Sequence, residues 1–209
     1  MKSNCIAAAV LGCVGVAAYA AEPKVTTSDL DRARAYLQQT QEMVVGATKG
    51  LSAAQWNFKP AADRWSIAQI LEHIVLAQQL ILGPIREQLA RSSAPAERDY
   101  KRIDEFVIAA MPDRAMKFQA PEIIQPTGRW APAESMARFL KNCEELKRYL
   151  ETTPDLRSHV VDAPALKALS KGVYQSMDGY QAILLAGGHT ERHVKQILEV
   201  RAAANFPTK

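Results

Sequence analysis

Residues 177–204 read MDGYQAILLAGGHTERHVKQILEVRAAA, and the period of this stretch decides the fold. Leu185, His189, His193, Ile197 and Val200 recur at steps of three and four, so they line one side of a single α-helix from about Met177 to Ala204. Positions i and i+4 of a helix stack on one face, which lets His189 and His193 aim their imidazoles at one point. Both histidines lie on the apolar, buried stripe. A third histidine, His73, stands far upstream in WSIAQILEHI (65–74). Three neutral imidazoles around a divalent metal leave a coordination position open for water or substrate, the usual arrangement of catalytic rather than structural zinc.

The rest of the chain repeats the helical period. A first helix is expected from about Asp29 to Lys49, with Leu30, Ala33, Leu37, Val44 and Ala47 at helical spacing, Ser28 as N-cap and Gly50 as stop. The second opens on a capping box of Ser66 and Gln69, with Trp65 placed to staple onto Ile70. It runs to about Leu89 with a kink at Gly83-Pro84, and the SSAP segment (92–95) ends it. A shorter amphipathic stretch covers Arg98 to Ala110, and a proline-punctuated crossover follows through Pro121, Pro126 and Gly128. Pro132 opens the third long helix, whose stripe is Met136, Phe139, Leu140, Cys143, Leu146 and Leu150, and Pro154 closes it. Ser176 is the candidate cap of the last helix. Strand-like alternation is confined to short pieces around Ile123 and Val160. The fold class is all-α, a four-helix bundle with long crossover connections.

Residues 1–20 fit a secretory signal: Lys2, an apolar run from Cys5 to about Ala18, and small residues at Ala18 and Ala20 flanking Tyr19. The run is too short for a confident bilayer span, and the mature chain shows no transmembrane segment. Residues 21–209 then form one domain, expected in the periplasm or secreted. The alternative processing, at VLGC (10–13), makes Cys13 a lipid-bearing N-terminus. Of three cysteines only Cys143 persists after cleavage near Ala20, so packing rather than an intramolecular disulfide must hold the fold. The formal net charge is +4, without a cluster of basic residues. That excludes a nucleic-acid partner and leaves a small molecule, or a second copy of the chain, as candidate partners.

Four segments together carry a resemblance: LSAAQWNFKPAADRWSIAQILEHI (51–74), RAMKFQAP (114–121), QPTGRW (125–130) and GYQAILLAGGHTERHVKQILEV (179–200). They resemble the DinB-like (YfiT-like) superfamily of metal-dependent proteins over essentially the whole mature chain. The resemblance implies a bundle with up-down-down-up connectivity and a divalent metal, zinc or nickel foremost, on His73, His189 and His193. It also implies hydrolase or thiol and group-transfer chemistry, some relatives being thiol-dependent transferases or isomerases. An export signal departs from those cytoplasmic thiol enzymes, because low-molecular-weight thiols are scarce outside the cytoplasm. A non-catalytic bundle that binds a metal or ligand is the alternative.

Neighbouring residues refine this picture. HTERH (189–193) is not the HExxH of zinc peptidases, since Glu191 sits two residues after His189, about 200° around the helix and away from the site. No general base is identified, and catalytic residues stay unassigned. His159 reads as structural. Arg192 and Gln196 are candidate partners for the ligand imidazoles. Trp56, Trp65 and Trp130 read as core residues. Gly187 and Gly188 cost roughly 1 kcal/mol each in a helix interior, so either a close helix approach compensates or the helix breaks there. Arg114 and Lys117 are candidate anchors for an anionic substrate.

Overall fold

The computed structural model describes residues 24–92 and 98–208. In chain order the elements are α1 (Thr27–Thr48), α2 (Ala53–Asn57), α3 (Ile67–Leu80), a π-turn (Ile81–Ile85), α4 (Arg86–Leu89), α5 (Tyr100–Ala110), a 3₁₀ turn (Glu122–Ile124), α6 (Pro132–Thr152), β1 (Val160–Asp162), α7 (Pro164–Leu169), β2 (Ser176–Asp178) and α8 (Gly179–Arg201). Four of the helix starts are closed by one device, a short polar residue answered three positions on: Thr26 with Asp29, Ser52 with Gln55, Ser66 with Gln69 and Asp178 with Gln181. The first and last of these replace the expected caps Ser28 and Ser176. Ser176 instead belongs to β2, which pairs antiparallel with β1, Val161 opposite Met177. The segment around Ile123 is a 3₁₀ turn rather than a strand.

Pro84 explains the widened turn in the second long helix. It has no N–H for the carbonyl of Leu80 and its ring would strike that carbonyl, so the helix opens into a π-turn and resumes as α4. The segment Ile67–Leu89 is long and apolar enough to cross a bilayer, but it is the central core helix here, with Ile67, Ile70, Leu71, Ile74 and Val75 fully enclosed. A helix enclosed on most sides needs apolar residues on most sides.

Cross-helix contacts fix the directions. Along α1 and α8, Asp29 meets Tyr180, Tyr36 meets Glu191, and Ala47 meets Arg201, so these helices run parallel. Arg34 reaches Glu151 and Lys147 reaches Gln38 and Gln41, which makes α6 antiparallel to α1. Asn142 bonds the Val75 carbonyl and Arg86 lies over the Tyr149 ring, so α6 runs with α3. The connectivity is therefore up-down-down-up. Going round the bundle the order is α1, α6, α3, α8, which leaves the first two long helices on a diagonal. The loop between them crosses one end of the bundle, and α5 packs on the outside of α8.

The core has two principal halves. One, around Val44, Ile70, Ile74, Phe139, Val194 and Ile197, adjoins the three histidines; the other centres on Leu146, Leu150, Tyr180, Ile183 and Leu184. Beyond the second half lies a buried ionic knot. The Arg157 guanidinium bonds Asp104 at 2.6 and 2.9 Å and Asp178 at 3.1 Å, and stacks over Tyr180. Arg98 bonds the Ser176 hydroxyl and carbonyl and the Gln181 side chain. The knot ties α5, the two-stranded sheet and the start of α8 together, about 16 Å along α8 from the histidines.

Candidate metal centre

His73 sits in the second turn of α3, and His189 and His193 lie on successive turns of α8, which is continuous through Gly187 and Gly188. The glycines are there because of close approach. A Cβ on Gly187 would stand 2.8 Å from the Tyr36 ring, and one on Gly188 would stand 2.9 Å from Met111 Cβ. With only hydrogens at these positions, α1 and the end of α5 press directly on α8 just before the first ligand position.

The antiparallel packing of α3 on α8 brings His73 Nε2 to 3.1 Å from both His189 Nε2 and His193 Nε2. One ligand atom from each residue lies within 4.8 Å of the others, a grouping that could hold a metal ion. Two of the opposite ring nitrogens are occupied. His73 Nδ1–H donates to the Ile124 carbonyl at 2.7 Å, and His193 Nδ1–H donates to Gln196 Oε1 at 2.8 Å. A neutral imidazole with its proton on Nδ1 presents a bare lone pair at Nε2. Lone pairs facing each other at 3.1 Å repel, and a cation between them turns that repulsion into coordination. Carbonyl and amide acceptors behind the ligands also match the outer partners that metal-bound histidines ordinarily have.

Electrostatics keep the rings neutral. Burial lowers the pKa of His73, which is 3% exposed. Burial, with the adjacent rings and Arg192 adding to it, drives His189 well below the ordinary histidine value, and His193 behaves alike. Neutral imidazole is the form that binds metal. His189 retains some solvent exposure, so the open side of the cluster lies beside it. Imidazole donors are compatible with zinc, nickel, copper or iron, so the donor set admits a divalent metal without choosing one.

The remaining candidates fall into place around this cluster. Trp65 is more than a staple: its ring lies 4.9 Å from His73 and 6.5 Å from His193, centroid to centroid, and walls one side of the site. It also lines a groove of about 360 Å³ shared with Pro60, Arg64, Gln196 and Glu199. Arg192 does not touch the ligand nitrogens; its guanidinium donates to the Asp113 and Met116 carbonyls and lies over Phe118, pinning the start of the crossover. Arg114 is held by Glu199 at 2.6 and 2.8 Å, which uses its charge, and Lys117 is solvent-exposed. Glu191 points away from the cluster toward Tyr36 Oη, at 2.8 Å, and Lys195. His159 bonds the Ser92 carbonyl, on loops outside the cluster. Cys143 is buried in the core. Sequence reasoning named the three histidines but not the backbone acceptor of Ile124, which has no signature in residue type. Gln196, one turn after His193 and named from the sequence as a candidate partner, does take the His193 ring N–H, whereas Arg192, named beside it, does not.

A parallel outer pair, a diagonal first connection and three inward imidazoles define an all-α bundle of the metal-site type. The chain belongs to the DinB superfamily, whose family model matches residues 36–197. It is 28% identical over 153 residues to YuaE of Bacillus subtilis (strain 168), an uncharacterized protein, covering 73% of this chain and 87% of YuaE. Among solved structures it is similar to YfiT from Bacillus subtilis, described as a probable metal-dependent hydrolase with an unusual four-helix bundle topology. The TM-score is 0.58 at 15% identity, over 90% of this chain and 95% of YfiT. At that identity the likeness speaks for the fold.

Proposed function

We propose that this protein is an exported metal-dependent hydrolase whose divalent metal is held by His73, His189 and His193. The observation that carries the reading is the convergence of three Nε2 atoms, two of them with Nδ1 committed to an outer acceptor. When bound, a divalent metal there supplies a Lewis acid able to polarise a substrate carbonyl and to activate water at neutral pH. The protein's own share is positional. Ile124 and Gln196 fix the ring orientations, Trp65 shields one flank from solvent, and Arg192 pins the crossover beside His189. Hydrolysis is preferred over thiol transfer because a leader in residues 1–20 would carry the mature domain, residues 21–209, out of the thiol-rich cytoplasm; those first residues lie outside the described structure. YfiT's description points the same way.

The test is turnover of a panel of p-nitrophenyl esters by the zinc- or nickel-loaded mature chain. Activity should vanish on chelation, return with metal, and be missing from His193→Ala. Turnover that survives chelation overturns the reading. Cell fractionation tests the export claim, for which a cytoplasmic full-length chain is the contrary result.

A further inference from the structure

Glu72 is an acidic side chain in the core half of α3, immediately before His73, and only 1% of it is exposed. A buried carboxylate needs partners, and every one recorded for it comes from a single motif in the crossover. Oε1 accepts the Thr127 N–H at 2.9 Å and Arg129 Nε–H at 3.0 Å, and Oε2 accepts the Gly128 N–H at 2.8 Å. The Thr127 hydroxyl approaches Oε1 at 3.5 Å. Gly128 has φ +75°, the left-handed region, and consecutive N–H groups beside such a residue form a concave anion cradle. The conformation of QPTGRW is thus shaped around one carboxylate.

The same loop touches His73. Ile124 closes the 3₁₀ turn just before this motif, and its carbonyl takes the Nδ1–H of His73 at 2.7 Å. Gln125 Nε2 to the Ala120 carbonyl and Arg129 to the Gln125 carbonyl stitch the segment between the two anchor points. Adjacent residues of α3 therefore grip adjacent parts of one loop: Glu72 by its side chain, His73 by its ring. A neutral imidazole has two tautomers, and the Nε2–H form would present a proton, not a lone pair, to His189 and His193.

We infer that Glu72 is a positioning residue: its carboxylate holds the crossover so that the Ile124 carbonyl fixes His73 in the tautomer with Nε2 bare. The significance for metal affinity rests on the proposed three-histidine site, whereas the tautomer claim concerns the metal-free chain as well. A loop staple without this role would leave the imidazole indifferent to Glu72.

The experiment records imidazole ¹⁵N shifts of the metal-free mature chain at pH 8, then titrates the same samples with cobalt(II) and follows visible absorption. Wild type should show His73 protonated at Nδ1 and bare at Nε2. Glu72→Gln keeps the side-chain shape but turns an amide NH₂ toward donors, so His73 should shift toward the Nε2–H form. Cobalt affinity should fall about 10–100-fold with an altered absorption band. Glu191→Gln, which unties Tyr36 from α8 elsewhere, should change neither readout. If Glu72→Gln does not fold, Gly128→Ala strains the cradle with the carboxylate intact and should move His73 the same way. A folded variant of either kind that keeps the wild-type tautomer overturns the inference. A wild type that binds no cobalt, yet whose His73 still responds to Glu72→Gln, overturns the metal reading and upholds the clamp.

Discussion

Replacing Gly187 with alanine should destabilise this protein, although alanine is the better helix former, and the sign should reverse when Tyr36 is removed. The added Cβ would lie 2.8 Å from Tyr36 Cδ1 and 2.9 Å from Cε1, well inside the ordinary carbon contact of about 3.5–4.0 Å. The ring cannot swing freely, because it is partly buried and its hydroxyl is held by Glu191 at 2.8 Å. Overpacking of this kind costs about 1–3 kcal/mol, and the Gly-to-Ala change within a helix returns about 1 kcal/mol. The net loss is about 0–2 kcal/mol. In a Tyr36→Ala background the clash is gone and Gly187→Ala should gain about 1 kcal/mol, giving a coupling of about 1–3 kcal/mol in the double-mutant cycle. Urea unfolding of the four proteins, metal-free at pH 8, reads these differences directly. An equal stabilisation in both backgrounds would refute the argument that close α1–α8 contact is why glycine stands there.

The pH dependence has two opposed contributions. His193 is buried and His189 mostly so, and desolvation holds both well below the ordinary histidine value of 6.5, so they bind fewer protons folded than unfolded. The metal-free protein should lose stability as pH falls below about 6.5, by up to roughly 1.4 kcal/mol per pH unit for each histidine. A His189→Gln/His193→Gln variant should lose this slope, and a slope unchanged in equilibrium unfolding would contradict it. Asp178 behaves oppositely. Burial pushes its carboxyl up to about 6, against the pull of Arg157, a guanidinium it shares with Asp104. It takes up a proton on folding between about pH 4 and 6, so its contribution weakens as pH rises through that window. Asparagine keeps the helix cap, and the stability of wild type minus that of Asp178→Asn should fall by about 3 kcal/mol between pH 4 and pH 7. A difference that is flat or rises would refute this. Burial also raises the Cys143 thiol to about 11. It should resist iodoacetamide at pH 8 until urea unfolds the chain, and rapid labelling of the native protein would show the core packing to be wrong.

Much of the architecture was legible because helix periods and caps are local. The stripes of α6 and α8 and the Ser66–Gln69 box needed only spacing and residue type. The true cap of α8 carried the same signal, with Asp178 and Gln181 three apart, but Ser176 was nearer the start of the apolar pattern. Spacing could not show that α1 and α3 stand diagonally, since either helix presents the same stripe to any neighbour. Gly187 and Gly188 were ambiguous for a related reason: a glycine pair reads as a break until Tyr36 and Met111 are seen against it. The histidines and Gln196 were conspicuous through helical spacing, whereas the groups that orient His73 were hidden. Ile124 acts through its carbonyl, and Glu72 acts through a loop more than fifty positions away in sequence.

The central claim is that the three imidazoles hold a divalent metal. Elemental mass spectrometry of the mature protein, purified without chelator or histidine tag, tests it beside His73→Ala and His193→Ala. The account predicts about one equivalent of metal in wild type, lost from both variants while their helical circular dichroism persists. Full stoichiometry in either variant, or a wild type that stays metal-free after reconstitution with zinc and with nickel, would contradict it.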